Sequence, residues 1–337
     1  MSTHQAVHVQ GPGEALTLVD VDTTSPARDH VRLAVDAAGV CGTDHAFVNG
    51  QFPGITWPLT PGHEIAGTIA ELGDGVDNFA VGDRVAVGWF GGHCNECVPC
   101  LQGDFIHCRK LQIPSLHYPG GYAESVTVPA NALARIPDEL SFAEAAPMAC
   151  AGVTVFHALR QSRAKPGDRV AVLGVGGLGH LGVQFARAMG FETVAIARGS
   201  DKAKDAKDFG AHHYIDSTAG DVGEALQALG GVIVVLATAA SSKAMGDTVA
   251  GLLPRGELIT IGVTADPLPI SPLQLITDGL TVTGHPSGTA RDVEETMKFA
   301  VQSGVRARIQ ELPLAQAAEA YAAMDEGRAR FRMVLTV

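Results

Sequence analysis

The chain has 337 residues, a hydrophobic fraction of 46% and a formal charge of −12. That length suits about two domains, the apolar content is ample for cores, and the negative charge argues against nucleic acid or an anionic membrane as partner. Forty glycines and 18 prolines against 5% aromatic residues point to tight turns and βα units rather than a helical bundle.

The N-terminus, Met1-Ser2-Thr3-His4-Gln5, has no apolar core of a signal peptide. No apolar run reaches the ~18 residues of a membrane span. Residues 231–240 are apolar but short, and read as a buried parallel strand. The expectation is a soluble, cytoplasmic protein that does not bind membranes.

The first 150 residues hold short β-like runs broken by Gly and Pro, at 31–35, 67–70, 84–87 and 122–128. Spaced strands with turn signals predict a closed or sandwich-like β domain. The texture changes after Cys150. A helix over 151–161 leads into alternating strands and helices: 169–173, 178–189, 193–197, 201–209, 213–215, 222–229, 232–237, 242–252 and 257–261, ending near 280–284. That alternation predicts a doubly wound parallel sheet, an α/β fold. Two further helices (292–303, 314–324) and a last strand (330–337) complete the chain. If that strand returns to the β domain, the layout is 1–151 with 286–337, carrying a small lobe at 91–110, and an inserted dinucleotide-binding domain at 152–285.

Six cysteines are present, and four of them fall within fifteen residues as Cys94-x2-Cys97-x2-Cys100-x7-Cys108. An even count also allows disulfides, but two-residue spacings in a long chain without an export signal favour metal. Four thiolates from one loop close a tetrahedron around zinc and leave no open position, so this site is expected to be structural. An iron–sulfur cluster is the alternative. His93 and His107 flank the loop and read as solvated bystanders. Cys41, His63 and Cys150 remain, 22 and 87 residues apart, with Glu64 beside His63. Three protein ligands leave a fourth position open, the mark of a catalytic zinc. Cys41 and His63 lie in Gly-rich loops, and Cys150 opens the helix into the second domain. The expected place of this metal is the cleft between domains, where ligands usually bind.

Gly174-Val175-Gly176-Gly177-Leu178-Gly179 follows the strand at 169–173 and starts a helix. In that context G-x-G-x-x-G is a dinucleotide loop: Gly174 for the tight turn, Gly176 for approach to the pyrophosphate, Gly179 for close helix packing. The carboxylate that would bind an NAD ribose about twenty residues on is missing. Ala197 stands there, eighteen residues after Gly179, followed by Arg198 with Lys202 nearby. Arg198 is suited to pair with a 2′-phosphate, which favours NADP(H). In the alternative, Arg198 stacks on adenine and NAD(H) is used.

Together, Gly39-Val40-Cys41-Gly42-Thr43-Asp44, Pro61-Gly62-His63-Glu64, the Cys94–Cys108 lobe, Cys150-Ala151-Gly152-Val153-Thr154 and the glycine loop through His180 make the chain resemble the zinc-dependent medium-chain alcohol dehydrogenases over essentially its whole length. Cysteine as third ligand is similar to the alcohol and cinnamyl-alcohol branch. The resemblance implies a GroES-like β-rich catalytic domain with a Rossmann domain, two zinc ions per chain, and a homodimer or homotetramer. It implies an alcohol dehydrogenase or aldehyde reductase that moves hydride between a primary or secondary alcohol and NADP(H) or NAD(H). A non-catalytic member or a zinc-free quinone reductase of the superfamily is the alternative. Carried over by position, Thr43 relays the alcohol proton, Asp44 orients His63, Glu64 assists ligand exchange, Thr154 packs on the nicotinamide, and Arg332 lies near Glu64 and the pyrophosphate. One departure stands out: the usual relay histidine is Ala46 here, with His45 one place earlier. Either His45 substitutes, or the proton leaves through ribose and water. Phe52, Trp57, Trp89 and Phe90 resemble pocket positions, with Leu273 and Ile276 as possible further apolar walls.

Overall fold

The computed structural model describes Ser2–Val337; Met1 lies outside the described residues. The chain divides into two compact units, Met1–Val153 with Ser287–Gln302 and Arg306–Val337, and Thr154–Pro286 with Ser303–Val305.

The first unit begins with an antiparallel hairpin, β1 (Thr3–His8) and β2 (Thr17–Asp22). Strand β3 (His30–Val40) is the spine of a seven-stranded sheet and delivers the chain to Cys41 and helix α1 (Gly42–Val48). It is followed by β4 (Ile65–Leu72), β5 (Arg84–Val87), the one-turn helix α2 (Val98–Leu101), β6 (Ser125–Pro129) and β7 (Ala134–Arg135). Val31, Leu33 and Val35 alternate along β3 and are buried, because successive strand side chains point to opposite faces. They meet Ile65, Ile69, Val85, Val87, Val126 and Val128 in one core.

Helix α3 (Phe142–Pro147) starts earlier than the helix expected at 151. Ser141 Oγ accepts from the Glu144 N–H, and the Glu144 carboxylate accepts from the Ser141 N–H, a complete capping box. Pro147 brings no N–H to the helix, and a wider π-helical turn, Met148–Gly152, follows before α4 (Val153–Gln161). Cys150 therefore lies within a helical run and does not open it. Phe142–Gln161 is also long and apolar enough to cross a membrane, contrary to the sequence expectation, with mean hydropathy 1.3. Because 78% of its apolar window is buried inside the protein, it is a core helix.

The second unit is a six-stranded, all-parallel sheet in the order β10-β9-β8-β11-β12-β13. Its elements run β8 (Arg169–Leu173), α5 (Gly179–Ala188), β9 (Glu192–Ala197), α6 (Ala203–Asp208), β10 (His213–Asp216), α7 (Val222–Ala228), β11 (Val232–Ala237), α8 (Ser242–Asp247), β12 (Leu252–Thr260), α9 (Pro272–Asp278) and β13 (Thr281–Gly284). The central strands are continuous apolar runs, as strands covered on both faces require, and Ala171, Val194, Ile196, Val235 and Leu258 are fully buried. The strand order reverses between β8 and β11, the switch point at which such sheets bind ligands.

The tail adds α10 (Ala290–Ser303), β14 (Ile309–Pro313), α11 (Ala317–Asp325) and β15 (Arg332–Thr336). Strand β15 pairs antiparallel with β3 and parallel with β14. The first unit thus joins an early strand and the last strand in one sheet, where Met333 pairs with Val40 at the end of β3 and Arg332 precedes it.

Candidate functional site

Cys41 caps the N-terminus of α1, and Asp44, one turn in, turns its carboxylate back. Its Oδ2 accepts from the Cys41 N–H at 2.9 Å, and its Oδ1 meets His63 Nδ1 at 3.0 Å. Asp44 and His63 are completely buried. An ionised carboxylate only accepts, so Nδ1 carries a proton, and in the neutral ring, the form that can ligate a metal, Nε2 presents its lone pair. That lone pair faces Cys150 Sγ at 3.4 Å. One ligand atom from each of Cys41, His63, Glu64 and Cys150 lies within 4.8 Å of the others. Thr43 Oγ1 stands 3.9 Å from Cys41 Sγ.

The charges of this cluster suit a cation. Hydrogen bonding from Cys150 holds the Cys41 thiol well below its ordinary pKa, while Cys150 is pushed up by the same bond. Burial lowers the basicity of His63, but Asp44 and Cys41 outweigh it and the net shift is upward. Burial also pushes Glu64 up to about 7 against the pull of Arg332. Arg332 Nη2 bonds Glu64 Oε2, and Glu64 Oε1 is buried with no hydrogen-bond partner. Two sulfurs, an imidazole lone pair and an unsatisfied carboxylate oxygen form a donor set matched to zinc.

The four-cysteine lobe passes a stricter test. Ligands about 2.3 Å from a tetrahedral centre stand roughly 3.8 Å apart. The separations are 3.5 Å for Cys97–Cys100, 3.8 Å for Cys97–Cys108 and 3.5 Å for Cys94–Cys108, and all six cysteines of the chain are free thiols. Backbone N–H groups of Cys94, Arg109 and Lys110 donate to the sulfurs. Hydrogen bonds from the Cys100 and Arg109 backbone bring Cys97 down to about 6. Burial and the neighbouring thiols push Cys100 up to about 12. Without a cation a thiolate at Cys100 is therefore disfavoured.

The aromatic residues divide. Phe52, Trp57 and Trp89 pack with Phe47 in one cluster. The Phe47 and Trp89 rings meet His63 edge-on at 5.9 and 5.7 Å. Phe90 lies outside that cluster: it is buried and its ring lies 5.4 Å from His93. His93 is not a solvated bystander, since its ring is also 4.3 Å from Phe105. His107 is exposed and bonded to Asp104. His45 is half exposed and its Nδ1 bonds Asp325 at 2.6 Å. Leu273 and Ile276 are exposed. Two contributors escaped the sequence reading. Phe47 carried the α1 core pattern but not its place against His63, and Tyr122, which donates to Asp44 Oδ2 at 2.8 Å, carried no local signal.

In the second unit the glycine loop has the shape its motif requires. Gly174 has φ +93°, a Cβ on Gly179 would lie 1.7 Å from the Gly174 carbonyl oxygen, and the space around Gly176 is open. Gly177 and Leu178 lead into α5, whose first turn receives the His180 N–H at the Gly176 carbonyl. This is a cradle suited to a pyrophosphate. Arg198 is exposed just after β9. The adjoining Gly199 is pinned on both sides, its N–H to Asp216 at 2.8 Å and its carbonyl by the Tyr214 hydroxyl at 2.6 Å. Lys202 caps α6, and Thr154 is buried in α4.

Residues 27–138 match the family described as alcohol dehydrogenase GroES-like domain, and residues 177–302 the one described as zinc-binding dehydrogenase. An alcohol dehydrogenase, patD, of Penicillium expansum is 39% identical, over 100% of this chain and 98% of its own. Among solved structures, a cinnamyl alcohol dehydrogenase of Sorghum bicolor superposes with TM-score 0.92 at 26% identity, covering 99% of this chain and 98% of that one. CAD from Helicobacter pylori, complexed with NADP(H), gives TM-score 0.88 at 26% identity with the same coverage.

Proposed function

Because this chain belongs to the zinc-dependent medium-chain alcohol dehydrogenase family, we propose that Cys41, His63 and Cys150 hold its catalytic zinc and that the four-cysteine lobe holds a second, structural one. The chain is an NAD(P)-dependent alcohol oxidoreductase. The observation that carries the assignment is the Asp44–His63–Cys150 chain of contacts, which fixes one imidazole nitrogen and turns the other toward the Cys150 sulfur, with Cys41 in the same cluster.

When bound, zinc supplies a Lewis acid for the substrate oxygen, and the nicotinamide supplies or accepts the hydride. The protein's residues do the rest. Thr43 relays the alcohol proton: on oxidation its hydroxyl oxygen takes that proton as its own hydrogen passes on toward water, and the transfer runs in reverse on reduction. Asp44 keeps His63 in the tautomer whose Nε2 can ligate. Glu64, paired with Arg332, has a free oxygen for ligand exchange. Phe47, Phe52, Trp57 and Trp89 form an apolar wall beside His63, which supports apolar alcohols and aldehydes as substrates. His45 is tied to Asp325 and faces water, so the proton path is better completed without it.

Gly174, Gly176, Gly177, Leu178 and Gly179 cradle the pyrophosphate, with Thr154 and Arg332 as further cofactor contacts. Arg198, with Lys202 behind it, favours NADP(H), because no carboxylate stands at Ala197 to repel a 2′-phosphate. The unpaired edge of β13 and the exposed Leu273 and Ile276 of α9 support a homo-oligomer. We place the protein in the cytoplasm, given its free cysteines.

Metal analysis tests the core of this reading. The chain should hold two zinc ions, and Cys150→Ala one, with activity lost. Full activity in that variant overturns the catalytic assignment. For the cofactor, the NADPH/NADH ratio of kcat/KM should fall in Arg198→Ala; an unchanged ratio removes Arg198 from the 2′-phosphate site.

A further inference from the structure

We infer that Tyr122 is a positioning residue for the three-ligand metal site: its hydroxyl fixes the Asp44 carboxylate that orients His63. The inference rests on the reading of Cys41, His63 and Cys150 as metal ligands. Tyr122 Oη donates to Asp44 Oδ2 at 2.8 Å, and Tyr122 is fully buried. The same oxygen takes the Cys41 N–H at 2.9 Å, leaving Oδ1 for His63 at 3.0 Å. One carboxylate thus joins the backbone of one ligand, the ring of a second and a phenol 78 residues along the chain from Asp44.

The backbone around Tyr122 serves the same end. The Gly120, Gly121 and Tyr122 N–H groups donate to the carbonyls of Thr60, Gly62 and Pro61 at 2.9, 2.7 and 3.0 Å. The Val7 N–H closes the other side on the Tyr122 carbonyl at 2.8 Å. The loop that carries His63 is therefore zipped to the segment that carries the phenol. Gly62 sits at φ +102°, where a Cβ would come within 2.4 Å of the Tyr122 ring. A core-filling role would be met by phenylalanine, whereas the bond to Asp44 needs the hydroxyl.

Partners of this outer kind typically change metal affinity or activity by about 10–100-fold. Tyr122 stands one step further out, so the low end applies. The test uses zinc-loaded full-length protein, with chelator-driven release followed separately for the two sites. Tyr122→Phe keeps the ring. It should release zinc from the three-ligand site about 10-fold faster and leave the four-cysteine site unchanged, which also reports that the unit is folded. In the cobalt-loaded protein the ligand-field bands should shift. Asp44→Asn should have a larger effect, and the double variant should be no worse than Asp44→Asn, because Tyr122 acts through Asp44. Unchanged release in Tyr122→Phe, or additive losses in the double variant, overturns the inference. Should Tyr122→Phe not fold, protein labelled with 3-fluorotyrosine, whose phenols are more acidic, must show an altered release rate at this site; an unaltered rate overturns it. A wild-type chain that binds a single zinc removes the three-ligand reading itself, whereas two zinc ions with an indifferent Tyr122→Phe remove the positioning role alone.

Discussion

The sharpest prediction concerns Gly39→Ala. Gly39 lies in β3, where its N–H donates to the Glu64 carbonyl at 2.8 Å and its missing side chain leaves room for the Glu64 carboxylate. A Cβ there would fall 2.0 Å from Glu64 Oε2, 3.0 Å from its Cβ and 3.1 Å from its Cδ. Glu64 and Arg332 are both buried, so the carboxylate has no solvent to retreat into and must leave the guanidinium. Breaking a buried ion pair costs about 3–5 kcal/mol. In a unit of about 200 residues each kcal/mol moves Tm by roughly 2–4 °C, so calorimetry should show a drop on the order of 6–20 °C. The decisive control is the same substitution in Glu64→Ala. The clash with Oε2 and Cδ is then gone, only the tight Cβ contact remains, and Gly39→Ala should cost about 1 kcal/mol. Equal costs in the two backgrounds, or a neutral Gly39→Ala, would show that Gly39 does not make room for the Glu64–Arg332 pair.

Gly179→Ala places a Cβ 1.7 Å from the Gly174 carbonyl oxygen; we expect loss of dinucleotide binding by fluorescence titration, with the metal content intact. His45→Gln removes an exposed pair with Asp325, so stability should change by less than about 1 kcal/mol; a moved pH–rate profile would restore His45 to the proton path. Burial raises the Tyr118 phenol above the ordinary 10.0. The folded state then holds that proton more tightly than the unfolded chain, so its contribution is complete below pH 10 and is lost as pH rises beyond it. Tyr118→Phe should flatten the alkaline slope of stability above about pH 10, while losing about 1 kcal/mol with the bond to the Gly91 carbonyl. An unchanged slope would assign the alkaline loss to other groups.

How legible each feature is in the sequence depends on how local it is. The four cysteines of the lobe are neighbours along the chain, so their spacing reports their geometry. The glycine loop is likewise one strand, one turn and one helix start. The parallel strands of the second unit are legible because burial on both faces makes them continuous apolar runs. Cys41, His63 and Cys150 are different. Their grouping came from elimination and resemblance, and β3, the loop at Thr60–Gly62 and the helical run after Ser141 assemble it only in three dimensions. Tyr122 was invisible for that reason: a tyrosine after two glycines has no periodic signature, and its partner is on another element. Adjacency in the loop says nothing about which way each ring turns, and Trp89 meets His63 while Phe90 meets His93. The early start of α3 was legible in Ser141-x-x-Glu144 but masked by Pro147.

That proline links composition to chemistry. A helix as apolar as Phe142–Gln161 is built to be buried, and 78% of its apolar window is. A thiol aimed at His63 has to emerge from it at a fixed angle. Pro147 supplies no N–H for the regular ladder, and the chain widens immediately afterwards into the π-helical turn Met148–Gly152. Such a turn holds an extra residue and rotates the next helical residues about the axis, which is why insertions of this kind are frequent at functional sites. Cys150 sits in the middle of it, half-exposed, while Met148, Ala149, Ala151 and Gly152 are buried. The hydrophobic pattern thus accounts for the helix, and the defect in that pattern accounts for the direction of the sulfur, which neither apolar periodicity nor cysteine spacing alone would give.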